Sequence, residues 1–240
     1  MEDDLVTVRQ AMQDSNSEKW IEVMNKEYKS MQDNNVWELV PLLEGVKLVA
    51  CKWLFKTKRD SKGNVERYKA RLVAKEYTQK EGIDFKETFS PVSSKDSFRT
   101  IMALVAHYDL EFHQMNVKTI FLNGNIDESI YIVQPENFVF GDPKARVCKL
   151  RKSIYRLKQA SRQWYLKFHQ VILSFGFEMN VVDDYVYHKF SGSKCIFLVL
   201  YVDDILLATN NIDMLHKTKR FLSRNFEMKD ASFVLGIHIH

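Results

Sequence analysis

The sequence predicts an α+β fold, and three observations carry that prediction. Apolar residues recur at helical spacing over residues 18–32, 98–105 and 160–175. Short runs rich in β-branched and aromatic residues, bounded by turn residues, lie between these segments and read as strands. Strands and helices are interleaved without the strict strand–helix alternation of a parallel doubly wound sheet.

Taken in order, residues 18–32 place Trp20, Val23, Met24, Tyr28 and Met31 on one helical face. Trp37–Val40 and Lys47–Lys58 read as strands, and Val65–Ala74 returns after the turn Asp60-Ser61-Lys62-Gly63-Asn64. Beyond Pro91, Ser93, Ser94 or Asp96 can cap a helix carrying Phe98, Ile101, Met102, Leu104 and Val105. Phe112–Val117 is a strand and Asn123-Gly124-Asn125 a turn. A helix over 160–175 aligns Trp164, Phe168, Val171, Ile172 and Phe175, with Gly176 as its stop. Ile212–Phe221 is helical, and Leu235-Gly236-Ile237 reads as a strand.

Composition excludes several classes. With 35 Lys and Arg against 31 Asp and Glu, total charge says little. Cys51, Cys148 and Cys195 lack metal-ligand spacing and read as reduced thiols. The acidic start lacks the apolar core of a secretory signal, and Asp203 and Asp204 interrupt the longest apolar stretch. The expectation is a protein that neither spans a membrane nor is secreted, placed inside the cell in cytoplasm or nucleus. No Walker loop, dinucleotide fingerprint or hydrolase triad signature is present.

Charge distribution is more telling. Between Lys52 and Lys75 nine basic residues face only Asp60 and Glu66, on a predicted hairpin where many share a face. From Pro143 to Phe177 nine more occur with no Asp or Glu. Such fields favour phosphate backbones. Tyr155, Trp164, Tyr165 and Phe168 are interleaved with the second block, and the spacing of Trp164 and Phe168 assigns those two to the helix core.

Tyr201-Val202-Asp203-Asp204 lies between the apolar runs Ile196–Leu200 and Ile205–Ala208, which read as two buried strands with the carboxylates at their turn. Adjacent carboxylates in such surroundings need a compensating partner, and a hard divalent cation such as Mg²⁺ supplies one. Spacing alone fits a solvated Asp-Asp turn as well.

These segments resemble the reverse transcriptase domain of copia-type long-terminal-repeat retrotransposons. The likeness rests on Cys51–Lys56, Arg67–Lys75, Glu87–Val92, Val117-Lys118-Thr119, Phe121–Gly124, Tyr131 with Gln134-Pro135-Glu136, Leu157-Lys158-Gln159 and Tyr201–Asp204, in this order. It implies a right-hand polymerase fold of fingers (about 18–90) and palm (about 91–240), a palm sheet bearing the Asp-Asp hairpin, and a short extension over 1–17. It also implies that the thumb-like connection and RNase H domain are absent from this chain. The activity implied is RNA-directed DNA synthesis by two-metal nucleotidyl transfer with Mg²⁺, on an RNA or DNA template–primer with deoxynucleoside triphosphates. The metal positions are Asn116, Asp203 and Asp204. Lys58, Lys69 and Arg71 are the candidates for triphosphate contact. Phe121 sits where bulk crowds a ribose 2′-hydroxyl, Gln159 lies in the segment packing on the template–nucleotide pair, and Leu235, Gly236 and Ile237 resemble the primer grip.

Departures from the family pattern point to impaired catalysis. Asn116 stands where the family carries an aspartate in Asp-Val-Lys-Thr-Ala-Phe-Leu, and an amide brings no negative charge to two cations. Losing a key electrostatic group in an active site costs roughly 10² to 10³ in rate. Ile120 replaces a small Ala beside the nucleotide site. Arg156 and Glu76 each replace a Gly, and Ala231 follows Asp230 at once where the family has Leu-Gly and one or two more residues, a short deletion. Three outcomes stay open: an impaired copy, a working polymerase in which Mn²⁺ tolerates Asn116, and a nucleic-acid binder without enzymatic activity.

Overall fold

The computed structural model describes residues 7–60, 62–75, 79, 92–126, 128–142, 145–231, 233–234 and 237–238. The expectations on Ser61, Glu76, the stretch 87–91, Leu235 and Gly236 lie outside the described residues.

The chain opens with helix α1 (Val8–Gln13), where the Thr7 hydroxyl and the Gln10 side chain form a reciprocal capping box. Helix α2 (Ser17–Asp33) buries Trp20, Met24, Tyr28 and Met31, the stripe the sequence assigns to its inner face. The strands β1 (Trp37–Pro41), β2 (Leu48–Val49), β3 (Cys51–Arg59) and β4 (Val65–Ala74) follow. The sequence reads 47–58 as one strand, but it is broken at Ala50, whose carbonyl accepts the Lys75 N–H. Helix α3 (Lys95–Tyr108) is capped by Ser94, whose hydroxyl accepts the Ser97 N–H. Then come β5 (Glu111–Val117), a 3₁₀ turn over Ile120–Asn123, β6 (Tyr131–Ile132), β7 (Arg146–Leu150) and α4 (Ala160–Ser174). Gly176 closes α4 at φ +81°, a left-handed conformation glycine takes without strain. The remainder is β8 (Glu178–Met179), β9 (Val186–Ser191), β10 (Lys194–Tyr201), β11 (Asp204–Thr209), α5 (Ile212–Asn225), β12 (Met228–Ala231), β13 (Phe233–Val234) and β14 (Ile237–His238).

These elements form two compact units. The first comprises Met1–Thr88 with Gly124–Gln163, the second Phe89–Asn123 with Trp164–His240. The sequence reading draws one boundary near residue 90, whereas the segment 124–163 groups with the first unit because β6 and β7 pair into the sheet β1-β7-β6-β2. In the same unit β3 and β4 make a long hairpin, against which α2 packs Trp20 on Phe55 and Tyr68. Cys51, Cys148 and Cys195 all carry free thiols.

The second unit is built on the sheet β12-β5-β11-β10-β9-β8. One face carries Met115, Val117, Ile205 and Leu207 and packs on Trp164, Phe168, Ile172, Leu215 and Leu222. The other carries Val199, Leu206 and Ala208 and packs on Ile101 and Leu110. Strand β11 is therefore apolar on both faces, which is why its sequence is a continuous run rather than an alternating one. The buried Asp183 carboxylate ties the entry of α3 to this sheet, accepting the Ser93 hydroxyl at 2.8 Å and the Ser94 and Tyr185 N–H groups at 2.9 and 3.0 Å. No helix among the described residues is long and apolar enough to cross a membrane.

Candidate active site

Strands β10 and β11 pair antiparallel with Tyr201 opposite Asp204, so Val202 and Asp203 form a two-residue turn. On the other side β11 pairs with β5, placing Asp204 opposite Asn116 and Leu206 opposite Gln114. Residues directly opposite, and residues two apart on a strand, share a face. Gln114, Asn116 and Asp204 accordingly line one side of the sheet at the hairpin end.

The turn is strained and firmly held. Val202 has φ +57° and Asp203 is not left-handed, the pattern of a II′ turn, which favours glycine at its first central position. A β-branched residue there costs on the order of 1–2 kcal/mol. The fully buried Trp164 donates its indole N–H to the Val202 carbonyl at 2.9 Å, and the Val117 N–H donates to the Asp203 carbonyl at 2.8 Å. The Val202 side chain packs on the core beneath.

The half-buried carboxylates are knitted together by amides. Asn116 Nδ2 donates to Asp203 Oδ2 at 2.9 Å and to Asp204 Oδ1 at 3.0 Å. Gln114 Nε2 donates to the same Asp204 oxygen at 2.8 Å. The Gln114 carbonyl oxygen is buried with no hydrogen-bond partner among the described residues. Beside them Lys118 pairs with Glu227 at 2.6 Å.

This donor set fits a two-cation centre poorly. Two carboxylates converge, and carboxylate oxygens suit Mg²⁺. The third position, however, presents an N–H₂ group, which donates hydrogen bonds and cannot ligate a cation. Among the described residues no group of three or more His, Cys, Asp or Glu is placed to hold a metal ion.

In the first unit the β3–β4 register puts Lys52, Lys56, Lys58, Arg67, Lys69 and Arg71 on one face of the hairpin. Trp53, Phe55, Ala70 and Leu72 occupy the other and are buried. Burial, with Arg71 and Arg67 close by, pushes the Lys69 amine down to about 8. Burial likewise pushes the Glu27 carboxyl on α2 up to about 6, against the pull of Arg71 and Lys69 and of the Leu72 N–H. The Arg71 guanidinium lies over the Tyr155 ring at 4.7 Å.

The remaining predicted positions divide. Phe121 lies in the 3₁₀ turn, half-buried against the second unit's core. Gln159 is buried, and its carbonyl accepts from Gln79 Nε2 at 3.1 Å while Gln79 Oε1 receives the Lys158 N–H at 3.0 Å. Ile237 belongs to the two-stranded β13–β14 pair. Ile120 is only 5 % exposed and packs into the second unit's core. Arg156 does adopt a glycine-like conformation, at φ +66°. Sequence reasoning missed Gln114, although a polar residue two before Asn116 on a buried strand signals a shared face. It also missed Glu27, whose helical spacing gives no sign of its burial.

Comparison with known proteins bears on this arrangement. Residues 34–240 match the family described as Reverse transcriptase (RNA-dependent DNA polymerase). The chain is 46% identical over 223 residues to the Retrovirus-related Pol polyprotein from transposon TNT 1-94 of Nicotiana tabacum, covering 91% of this chain and 17% of that protein. It is 39% identical over 233 residues to the Pol polyprotein from transposon RE1 of Arabidopsis thaliana, covering 95% of this chain and 16% of that protein. The corresponding protein from transposon RE2 of the same plant is 38% identical over 233 residues. The chain thus spans about a sixth of the length of the curated relatives it matches.

Proposed function

This chain belongs to the reverse transcriptase (RNA-dependent DNA polymerase) family of copia-type Pol polyproteins, and from that premise we propose that it binds nucleic acid in fingers and palm while catalysing DNA synthesis weakly or not at all. The observation that carries this reading is the meeting of Asn116, Asp203 and Asp204 at one hairpin end, with an amide nitrogen facing both carboxylates.

The basic face of the β3–β4 hairpin supplies the binding. Six cations crowd one surface, where burial first and then the neighbouring Arg71 and Arg67 lower the Lys69 pKa, and an incoming anion would relieve that mutual repulsion. Template–primer backbone and deoxynucleoside triphosphate are the anions of the right chemistry, with Lys58, Lys69 and Arg71 as the contacts. Phe121 favours a deoxyribose, and Ile237 contributes to the primer grip with Leu235 and Gly236. From its buried place Gln159 supports the segment through Gln79 instead of touching a base. Magnesium is the cofactor the family's chemistry calls for. Asp203 and Asp204 would hold it weakly, with Mn²⁺ the better-tolerated ion, and the present donor set gives no second site.

Primer extension on an RNA template, with Mg²⁺ and with Mn²⁺, tests the reading against Asn116→Asp. The expected result is extension by Asn116→Asp at a rate roughly 10² to 10³ above the unmodified chain. Template–primer affinity is expected to be alike in both and to fall linearly in log–log form with salt. Equal extension by the two proteins would overturn the proposal, as would an affinity indifferent to salt.

A further inference from the structure

We propose that the Asn116 amide is an internal substitute for a divalent cation: it crosslinks Asp203 and Asp204, so that the hairpin holds together without metal and a cation must displace the amide to enter. The proposal rests on the functional reading of this site and deepens it, since it states what the third position now does rather than what it lacks.

Geometry carries the inference. Asp203 sits in the turn and Asp204 at the first position of β11, and each offers an oxygen to one nitrogen, at 2.9 and 3.0 Å. An NH₂ group has two protons, one for each carboxylate, so both bonds form at once. The reverse orientation would point a carbonyl oxygen at two anions, which electrostatics forbids. Gln114 adds a second amide donor at 2.8 Å to the Asp204 oxygen that Asn116 already contacts, which further satisfies that carboxylate. The neighbouring main chain is pinned by Trp164 and Val117, so the carboxylates cannot swing apart to accommodate a new partner cheaply.

An amide in this role has consequences opposite to those of an amide acting as a weak ligand. A cation entering the lock must break two charge-assisted hydrogen bonds and turn the side chain, a penalty of roughly 10- to 100-fold in affinity. Deleting the amide removes that penalty. Deleting a ligand would instead weaken binding.

The experiment measures Mn²⁺ binding by electron paramagnetic resonance and thermal unfolding in chelator or millimolar Mg²⁺, for the full chain, Asn116→Ala and Asn116→Asp. Asn116→Ala is expected to bind Mn²⁺ about 10- to 100-fold tighter than the unmodified chain. The unmodified chain is expected to unfold at the same temperature in chelator and in Mg²⁺. Asn116→Asp, with three carboxylates at one point, is expected to unfold about 3–6 °C lower in chelator and to recover in Mg²⁺. Unchanged Mn²⁺ binding by Asn116→Ala would overturn the proposal, and weaker binding would overturn it by making the amide a ligand through its oxygen. So would an Asn116→Asp chain indifferent to metal. If Asn116→Asp does not fold, the comparison with Asn116→Ala still decides. Primer extension by the unmodified chain would defeat the functional reading without touching these affinities or temperatures, so the two failures are separable.

Discussion

Replacing Arg156 with glycine is expected to stabilise this protein, against the usual effect of adding a glycine. Arg156 has φ +66°, and its neighbours fix it there. Ile154 and Leu157 are buried on either side, Leu157 N–H donates to the Ile154 carbonyl at 3.3 Å, and the Tyr155 carbonyl accepts the Ala74 N–H at 2.9 Å. The backbone therefore cannot relax away from the left-handed region. A non-glycine residue there costs on the order of 1–2 kcal/mol. Glycine removes that cost but gains freedom in the unfolded chain, which takes back about 0.5–1 kcal/mol. The net gain is about 0.5–1 kcal/mol, and because the Arg156 side chain is exposed little packing is lost. Arg156→Ala is the control: it keeps the strained φ and should stay within about 0.5 kcal/mol of the parent. The assay is the urea midpoint of all three proteins at unchanged slope. If Arg156→Gly is no more stable than Arg156→Ala, the positive φ carries no strain and the reasoning fails.

Two further predictions follow from buried groups. Glu27 titrates at about 6 in the folded chain against an ordinary 4.5, so the folded state holds the proton more tightly and stability falls as pH rises through that window, by at most about 2 kcal/mol. Glu27→Gln should flatten this slope when unfolding free energies are measured at pH values either side of it, and an unchanged slope would assign it to another group. Trp164→Phe removes the bond to the strained Val202 carbonyl and leaves a gap beside Phe226 and Phe168, for a loss of about 2–3 kcal/mol. Amide exchange should quicken at Asp203 and Asp204 in this variant, and a loss under about 1 kcal/mol would show that the hairpin does not depend on the indole.

Much of the second unit was legible because its patterns are local. The stripe Trp164, Phe168, Ile172 specifies one helical face, and those residues pack on one side of the sheet. The apolar runs flanking Asp203 and Asp204 specify two strands, which pair as β10 and β11. The break at Ala50 and the short strands β6 and β7 were not legible, because what defines them is a partner elsewhere in the chain. Ile120 shows the same limit. Its size is plain in the sequence, but the direction of its side chain depends on the 3₁₀ turn that follows β5.

The sequence by itself determined the class of fold, the family resemblance and the basic hairpin. Those features follow from residue identity and from spacings of two to four residues, which set the face a side chain occupies. Only the tertiary structure decided that the Asn116 nitrogen faces both carboxylates, that Gln114 joins it, and that Trp164 holds the turn. These partners lie 87, 88, 90 and 38 residues apart in the chain. An amide's orientation is set by the groups that strand pairing brings against it, and no local pattern encodes which groups those are.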